Sequence, residues 1–302
     1  MRIIIAGSSG FVGSALVRFL REQGHVVKRL VRSASQLSDD AILCESTSLE
    51  GCDAVVNLAG ENVASGRWTI DKKKRILESR VEGTKRLCRQ LAKLHQPPKI
   101  LINASAMGFY GDRGMEILTE DSSGGDDFLA ETCRQWEAAA EEAIPLGMRV
   151  VKLRIGLVLS SKGGALASML TPFKLGLGGV LGSGKQYMSW IMLDDLLQVI
   201  LYVLNHETLC GPINAATPNP VTNEEFTKTL GRLLHRPTLL TIPAFLLRII
   251  LGEMADALFL SGKRMAPMRL LASGYDFLHP ELDQALKSDL KLHSDFTANI
   301  AC

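Results

Sequence analysis

The chain contains 302 residues, of which 46% are hydrophobic, 22% are charged and 6% are aromatic. This composition is close to that of an average globular protein and excludes a disordered or a fibrous chain. The formal net charge is only +2, so no basic excess indicates a nucleic acid or an anionic membrane as a partner.

The cysteines and the apolar stretches bear on the compartment. Six cysteines lie at positions 44, 52, 88, 133, 210 and 302, without a CxxC pair or a His/Cys cluster of zinc spacing. We therefore expect reduced thiols, no metal and a cytoplasmic protein, or an organellar one if a presequence has been removed. Residues 3–6 form an apolar run too short for a signal peptide, and the longer stretch 244–260 includes three charged side chains. We expect no membrane span.

The first half of the chain alternates short apolar strands with longer helical patterns, which is typical of a doubly wound parallel sheet. Nearly continuous apolar strands also suit a sheet that is covered on both faces. We predict an α/β fold with a Rossmann-type domain over residues 1–160. Strands are predicted at 2–6, 26–31, 42–45, 54–58, 99–105 and 149–157, and helices at 14–23, 71–93 and 127–143.

From about residue 160 the pattern changes to a glycine-rich stretch and then to helical segments. A helix is predicted at 193–204 and a strand near 212–215. Thr222 and Glu225 have the spacing of a capping box, which predicts a helix over 222–234. We assign residues 161–302 to a smaller, mainly helical substrate lobe, with segments around 190–215 returning to the Rossmann-type domain.

A glycine-rich loop follows the first predicted strand and opens the first predicted helix. Gly7, Gly10 and Gly13 would permit a tight turn and a close approach of the backbone to a phosphate. The N–H groups of Phe11, Val12 and Gly13 would face a pyrophosphate at the positive end of the helix dipole. The alternative is a glycine-rich turn that binds nothing.

The end of the second predicted strand bears on which nicotinamide cofactor is bound. Enzymes that use NAD usually carry Asp or Glu there, whereas this chain has Arg32 and Ser33 and no carboxylate before Asp39. A guanidinium at this position would pair with a 2′-phosphate. We therefore predict NADP(H) over NAD(H), and the alternative for Arg32 is a solvated surface side chain.

A further strand ends at the same edge of the predicted sheet, where the ligand crevice of open α/β sheets lies. It is followed by Leu58, Ala59 and Gly60, and the small step at Ala59 and Gly60 would let an adenosine ribose pass close to the backbone. An ordinary strand-to-loop turn is the alternative.

Together these motifs resemble the extended short-chain dehydrogenase/reductases, the NAD-dependent epimerase/dehydratase family. Segments 57–62, 105–111, 125–137 and 189–195 are more similar to its atypical, sugar-nucleotide-epimerase-like subgroup, with a small C-terminal domain at about 241–290. The resemblance covers nearly the whole chain. It implies a nicotinamide cofactor, a small-molecule substrate, an oxidoreductase or epimerase reaction, and a homodimer through the long helices.

The catalytic motif departs from the family pattern, which is a Ser or Thr followed by Tyr-x-x-x-Lys. Ser105 matches the family serine, which lies near the nicotinamide. Placing Glu137 on the glutamate that commonly follows the lysine puts Leu129 at the tyrosine position and Cys133 at the lysine position. Arg80 stands where the family usually has Asn. The same replacements are typical of the subgroup.

Two side chains are candidates for the missing acid–base chemistry. Tyr110 follows Ser105 by five residues, and a neighbouring arginine would have to lower the pKa of its phenol. Packing against loop glycines is the alternative. The Cys133 thiol would be partly ionised beside Arg134, and a buried helix cysteine is the alternative.

Further residues are candidates for binding. Arg80 would hold the cofactor or a substrate anion, and the alternative is a surface ion pair with a neighbouring glutamate. The resemblance implies that Lys185, Gln186 and Trp190 contact the substrate, whereas Trp190 has core packing as its alternative. The sequence thus predicts an NADP(H)-dependent oxidoreductase or epimerase. The alternative is an NADPH-binding sensor or regulatory protein without turnover.

Overall fold

The computed structural model describes residues 1–31, 36, 38–44 and 46–298. The chain divides into two compact units. The first comprises Met1–Phe109, Asp126–Arg154 and Leu197–Ile213, and the second comprises Tyr110–Gly125, Ile155–Leu196 and Asn214–Cys302.

The first unit is built on a seven-stranded parallel sheet that is flanked by helices, which confirms the predicted α/β fold. The elements of this unit are β1 (Arg2–Ala6), α1 (Phe11–Glu22), β2 (Val26–Val31), β3 (Ala41–Leu43), α2 (Ser46–Leu49), β4 (Ala54–Asn57), α3 (Ile70–Leu91), β5 (Ile100–Ala106), α4 (Phe128–Glu141), β7 (Arg149–Ile155) and β12 (Gly211–Ala215). The order of the strands in the sheet is β12-β7-β5-β4-β1-β2-β3.

The register of the sheet brings three strand ends to one edge. Ala6 of β1 pairs with Asn57 of β4, and Asn57 pairs with Asn103 of β5. Because parallel strands end on the same side, Gly7, Leu58 and the end of β5 meet where open α/β sheets bind ligands.

Local capping and apolar burial explain the main helices of this unit. The side chains of Thr69 and Asp127 accept hydrogen bonds from the N–H groups of Lys72 and Ala130, so they fix the first turns of α3 and α4. Both helices pack on the sheet with an apolar face. The buried cluster contains Ile4, Leu49, Cys52, Val55, Leu87, Cys88, Leu91, Leu94, Leu101, Ala140, Ala143, Met148 and Val150.

The second unit combines helices with short strand pairs. The predicted capping box is present, since Thr222 and Glu225 bond reciprocally at the start of α7. The elements are β6 (Ile117–Leu118), β8 (Leu157–Leu159), α5 (Gly164–Lys174), β9 (Gly179–Leu181), β10 (Tyr187–Met188), β11 (Trp190–Met192), α6 (Leu193–Asn205), β13 (Val221–Thr222), α7 (Asn223–Leu233), β14 (Leu240–Ile242), α8 (Ala244–Leu251), α9 (Glu253–Ala255), β15 (Arg264–Met265), α10 (Met268–Ala272) and α11 (Leu282–Ala298). Helix α6 begins in this unit and continues in the first.

The units differ from the predicted division at residue 160. Residues 110–125 belong to the second unit because β6 pairs with β15 and because the Asp112 carboxylate accepts the N–H of Gly262. The strand predicted at 149–157 is interrupted at Gly156, whose N–H donates to Ala215, and the chain resumes as β8 beside β11.

No helix within the described ranges is both long enough and apolar enough to cross a membrane.

The buried carboxylate of Asp195 fixes a loop of the second unit. Its two oxygens accept the N–H groups of Leu278 and His279 at 2.8 and 2.9 Å. Burial raises the pKa of this carboxyl, and the two backbone hydrogen bonds oppose that effect.

We expect Asp195→Ala to lower the free energy of unfolding by about 2–4 kcal/mol, because two backbone donors would lose their acceptor inside the protein. Asp194→Ala is the matched control, since Asp194 is exposed in the same first turn of α6. Denaturant unfolding of both variants measures the difference. Equal losses would show that only the helix dipole, and not the loop anchor, is involved.

Candidate functional site

The glycine loop after β1 is packed directly against the end of β4. Gly7 has a φ of +77°, and a β-carbon there would lie 2.6 Å from the carbonyl carbon of Leu58 and 2.7 Å from the nitrogen of Ala59. A β-carbon at Gly13 would lie 2.2 Å from the Gly7 oxygen. Glycine is therefore required at both positions, and the loop brings the predicted residues Leu58 and Ala59 beside it.

The start of α1 can receive an anion. Gly10 is the N-cap and contributes no side-chain hydrogen bond, and the first turn contains no acidic residue. Helix geometry leaves the first N–H groups without intrahelical acceptors, so those of Phe11, Val12 and Gly13 can serve a phosphate. The residues of the loop thus fit a pyrophosphate group.

Arg80 lies beneath the turn that follows β4. Its Nη1 donates to the carbonyl oxygens of Glu61 and Ile76, at 3.0 and 3.1 Å, and its guanidinium lies over the ring of Trp136. A β-carbon at position 60 would lie 3.0 Å from Arg80 Cζ, so Gly60 leaves room for the guanidinium. Through these contacts Arg80 supports the Gly60–Glu61 turn.

Helix α3 holds Glu61 by all three of its polar groups. Besides the Arg80 bond to its carbonyl, the N–H of Glu61 donates to Ser79 Oγ at 3.0 Å. Its carboxylate accepts from the buried Lys72 at 2.7 Å, which lowers the pKa of Glu61. The turn at the rim of the loop is therefore fixed by one helix.

Asn57 and Asn103, for which the sequence analysis predicted no role, connect strands β4 and β5. Asn57 Nδ2 donates to Asn103 Oδ1 at 2.7 Å and to Thr84 Oγ1 at 2.9 Å. Trp136 Nε1 also donates to Thr84 Oγ1. This buried network links β4, β5, α3 and α4. The sequence signal for it is the position of Asn57 at the start of segment 57–62 and of Asn103 two residues before Ser105.

Ser105 is engaged in a buried charge network. Its hydroxyl donates to Glu137 Oε1 at 2.7 Å, and Arg154 holds both carboxylate oxygens of Glu137, at 2.9 and 3.0 Å. The Arg154 guanidinium stacks 3.5 Å from the centre of the Phe109 ring. The sequence indicated neither that Glu137 accepts a hydrogen bond from Ser105 nor that Arg154 pairs with Glu137.

The positions that correspond to the family tyrosine and lysine carry apolar or neutral groups. Leu129 and Cys133 are both buried in α4. Burial raises the pKa of the Cys133 thiol to about 11, with Glu137 acting in the same direction and Arg80 against it. The thiol is therefore protonated near neutral pH, which supports the buried-cysteine alternative.

Tyr110 is fully buried in the second unit. Its hydroxyl is 2.7 Å from Asn214 Oδ1 and 3.0 Å from the carbonyl oxygen of Thr119, both as acceptors. This position supports the packing alternative for Tyr110.

The predicted substrate contacts of the second unit differ in exposure. Trp190 is fully buried in the core of this unit and donates to the Asn219 carbonyl. Gln186 is buried and donates to the carbonyls of Leu181 and Phe259. Lys185 is exposed. Core packing thus explains Trp190 and Gln186, and Lys185 alone of the three presents its side chain to solvent.

The predicted 2′-phosphate residues, Arg32 and Ser33, lie outside the described residues. A cavity of about 420 Å³ adjoins the glycine loop in the first unit. Its lining is Ser8, Ser14, Val17, Arg18, Arg21, Glu22, Arg29 and Asp40.

In the part of the chain that the structure describes, no three His, Cys, Asp or Glu side chains are grouped as metal ligands would be.

Comparisons with known proteins give the family. The family model described as "NAD dependent epimerase/dehydratase family" matches residues 3–214, and a domain of unknown function matches residues 242–288. An epimerase family protein of Mycobacterium leprae is 40% identical over 290 residues, which cover 94% of each chain.

Two solved structures extend the comparison. The crystal structure of the human epimerase family protein SDR39U1 (isoform 2) with NADPH has a TM-score of 0.89 at 36% identity and covers 96% of this chain and 99% of its own. The UDP-N-acetylglucosamine 4-epimerase of Bacillus cereus has a TM-score of 0.75 at 16% identity, covers 97% and 99%, and supports the fold alone. These matches confirm the resemblance: the chain belongs to the NAD-dependent epimerase/dehydratase family.

Proposed function

We propose that this protein binds NADP(H) and catalyses an oxidoreductase or epimerase-like reaction on a small molecule. The observation that carries the proposal is the glycine loop packed on Leu58 and Ala59, which presents the start of α1 to a pyrophosphate. When bound, the nicotinamide would supply or accept a hydride at a substrate carbon.

The charges beside the loop support NADP(H) over NAD(H). Arg21 and Arg29 both bind Asp40, which holds the pKa of that carboxyl well below its usual range. Two guanidinium groups share one carboxylate there, and Arg18 lies one turn closer to the glycine loop on the same cavity wall. This arrangement suits a phosphate, and the human SDR39U1 structure with NADPH is consistent with it. Arg32, which directly follows β2 in the sequence, is proposed to pair with the 2′-phosphate.

Arg80 acts in this proposal as a positioning residue for the cofactor. Its guanidinium lies beside Gly60 and donates to the Glu61 carbonyl oxygen, and this contact fixes the backbone at the rim of the crevice.

The reaction would proceed without a Tyr–Lys pair. Leu129 has no proton to donate, and the Cys133 thiol is neutral near pH 7. The Ser105 hydroxyl donates to Glu137, whose charge Arg154 balances, so these residues shape the end of β5 and do not form a proton relay of the family type.

A second candidate function follows from the same network. The alternative is that the chain is an NADPH-binding sensor or regulatory protein without turnover. The burial of Ser105, Leu129 and Cys133 favours this alternative. None of the five described cysteines forms a disulfide, which is consistent with a reducing compartment such as the cytoplasm for either function.

Gly13→Ala should weaken NADPH binding at least tenfold, or about 1.4 kcal/mol, because the new β-carbon would collide with the Gly7 oxygen. Isothermal titration calorimetry measures the dissociation constant. Gly83→Ala in α3 is the control, since nothing lies within 4 Å of its added β-carbon. This control should keep the affinity and gain up to about 1 kcal/mol of stability. Unchanged binding by Gly13→Ala would contradict the proposed phosphate site.

Arg18→Ala should reduce the affinity for NADPH about tenfold and leave that for NADH unchanged, because only the 2′-phosphate distinguishes the two cofactors. Competition by adenosine 2′,5′-bisphosphate against adenosine 5′-phosphate isolates the same contact. Arg89→Ala, in the last turn of α3, is the matched control. An equal loss of affinity for both cofactors would show that Arg18 does not contact the 2′-phosphate.

Turnover separates the two candidate functions. We expect NADPH oxidation with at least one member of a panel of carbonyl compounds and nucleotide sugars. Cys133→Ala should retain kcat within about threefold, because a neutral thiol offers neither a strong base nor a strong nucleophile. If Cys133→Ala lost turnover while its folding was unchanged, the thiol would be shown to take part in the reaction. Tight NADPH binding with no oxidation across the panel would favour the sensor.

A further inference from the structure

An arginine and a tyrosine of the second unit are in contact. The Cζ atom of Arg264, in β15, lies over the Tyr187 ring, 4.7 Å from its centre. Both side chains are half-buried. Successive side chains of a strand point to opposite faces, so Arg264 is directed away from the side on which Met265 is buried.

The backbone fixes the distance between these two side chains. The N–H of Lys263 donates to the carbonyl oxygen of Tyr187 at 3.0 Å. The N–H of Met265 donates to Ser189 Oγ at 2.7 Å, and that hydroxyl donates to the carbonyl oxygen of Lys263 at 2.7 Å. The strand that carries Tyr187 and the strand that carries Arg264 are thus bonded on both sides of the contact, and the pair is organised before any ligand binds.

The positive charge of Arg264 is not paired within its surroundings. Among the described residues, the Tyr187 ring is the partner of this guanidinium, and no carboxylate is paired with it. Ile117 lies opposite Arg264 in the strand pair, and the carboxylate next to it in the sequence is that of Glu116. Glu116 is engaged by Arg113, whose Nε and Nη2 donate to its two oxygens at 2.8 and 2.6 Å.

The contact with the ring leaves donors of Arg264 available for an anion. Attraction between a guanidinium and an aromatic ring uses no hydrogen-bond acceptor, and the five N–H groups lie in one plane as a rigid fork. The Tyr187 hydroxyl is a further donor, and no described residue accepts a hydrogen bond from it. Arg264 and Tyr187 therefore offer a charged fork and a phenol side by side.

The contact includes a residue of the segment that the resemblance assigns to substrate binding. Of the three contacts predicted there, Gln186 and Trp190 are buried, and Lys185 is exposed. Tyr187 lies between them and is accessible. The segment thus presents a polar aromatic side chain beside a guanidinium that the sequence did not single out.

We propose that Arg264 and Tyr187 bind a carboxylate group of the small-molecule substrate. This inference rests on the proposed function and gives the chemical class of its substrate. The fork of the guanidinium matches the two oxygens of a carboxylate, and the phenol can donate to one of them.

The surrounding charges favour a carboxylate over a phosphate. A single guanidinium balances the one charge of a carboxylate, whereas a phosphate near neutral pH carries up to two charges. The neighbouring Lys263 does not add to the fork, because its Nζ donates to the Ala257 carbonyl and to the Ser261 hydroxyl.

The test is saturation-transfer NMR on the full-length protein without cofactor, with the methyl protons of pyruvate as the probe. Pyruvamide, in which an amide replaces the carboxylate, is the uncharged control. We expect saturable binding of pyruvate with a dissociation constant on the order of 1–10 mM, and no saturable binding of pyruvamide. The arginine Nε–H signals locate the site, since the signal that is lost in Arg264→Gln should be the one that pyruvate shifts.

Two variants separate the charge from the phenol. Arg264→Gln should raise the dissociation constant of pyruvate at least about fivefold, because a charge-assisted pair is lost. Tyr187→Phe keeps the ring beside the guanidinium and should raise it about two- to threefold. Arg236→Gln is the matched control, since Arg236 is an exposed arginine of the same unit whose Nε donates to the Lys174 carbonyl. It should keep the affinity of the wild type.

Four results would overturn the inference. These are no saturable pyruvate binding by the wild type, equal binding of pyruvamide, unchanged affinity in Arg264→Gln, and displacement of pyruvate by inorganic phosphate with the lower dissociation constant of the two. The last would assign the pair to a phosphate. Because no cofactor is present, a failure of NADPH to bind would contradict the proposed function and leave this titration unaffected. NADPH binding without pyruvate binding would overturn the carboxylate site alone.

Discussion

The left-handed turn at Gly7, packed against the end of β4, is the constraint on which the candidate site depends. No side chain fits between this turn and Leu58, and none fits between Gly13 and the Gly7 oxygen. The loop therefore lies as close to the neighbouring strand as backbone atoms allow. This closeness gives α1 its direction and leaves the first N–H groups of the helix directed to the edge of the sheet.

The residues around this loop divide into a firmly held geometry that suits cofactor binding and a centre that departs from the family's catalytic pattern. Glu61 is fixed by Lys72, Ser79 and Arg80, so the rim of the crevice is rigidly supported. By contrast, the positions that carry proton transfer in the family hold buried groups. Ser105 contacts the Glu137 carboxylate, and the Cys133 thiol has a pKa raised to about 11. The residues of the candidate cofactor site and the positions that correspond to the family's proton-transfer residues are thus separate sets in this chain.

Features with a local sequence signal could be predicted. The glycine spacing of the loop, the Thr222 capping box and the apolar strands all depend on neighbours within a few residues, and the structure places them as expected. The contacts of Tyr110 with Asn214 and of Glu137 with Arg154 join residues 104 and 17 positions apart, and no periodicity indicates them. The short strands of the second unit have two or three residues, which is too few for an alternating pattern.

A calorimetric titration of the purified protein with NADPH and, in parallel, with NADH tests the proposed cofactor site most directly. We expect saturable binding of one NADPH per chain, with a dissociation constant at least tenfold lower than that for NADH. An absence of NADPH binding, or equal affinity for the two cofactors, would contradict it.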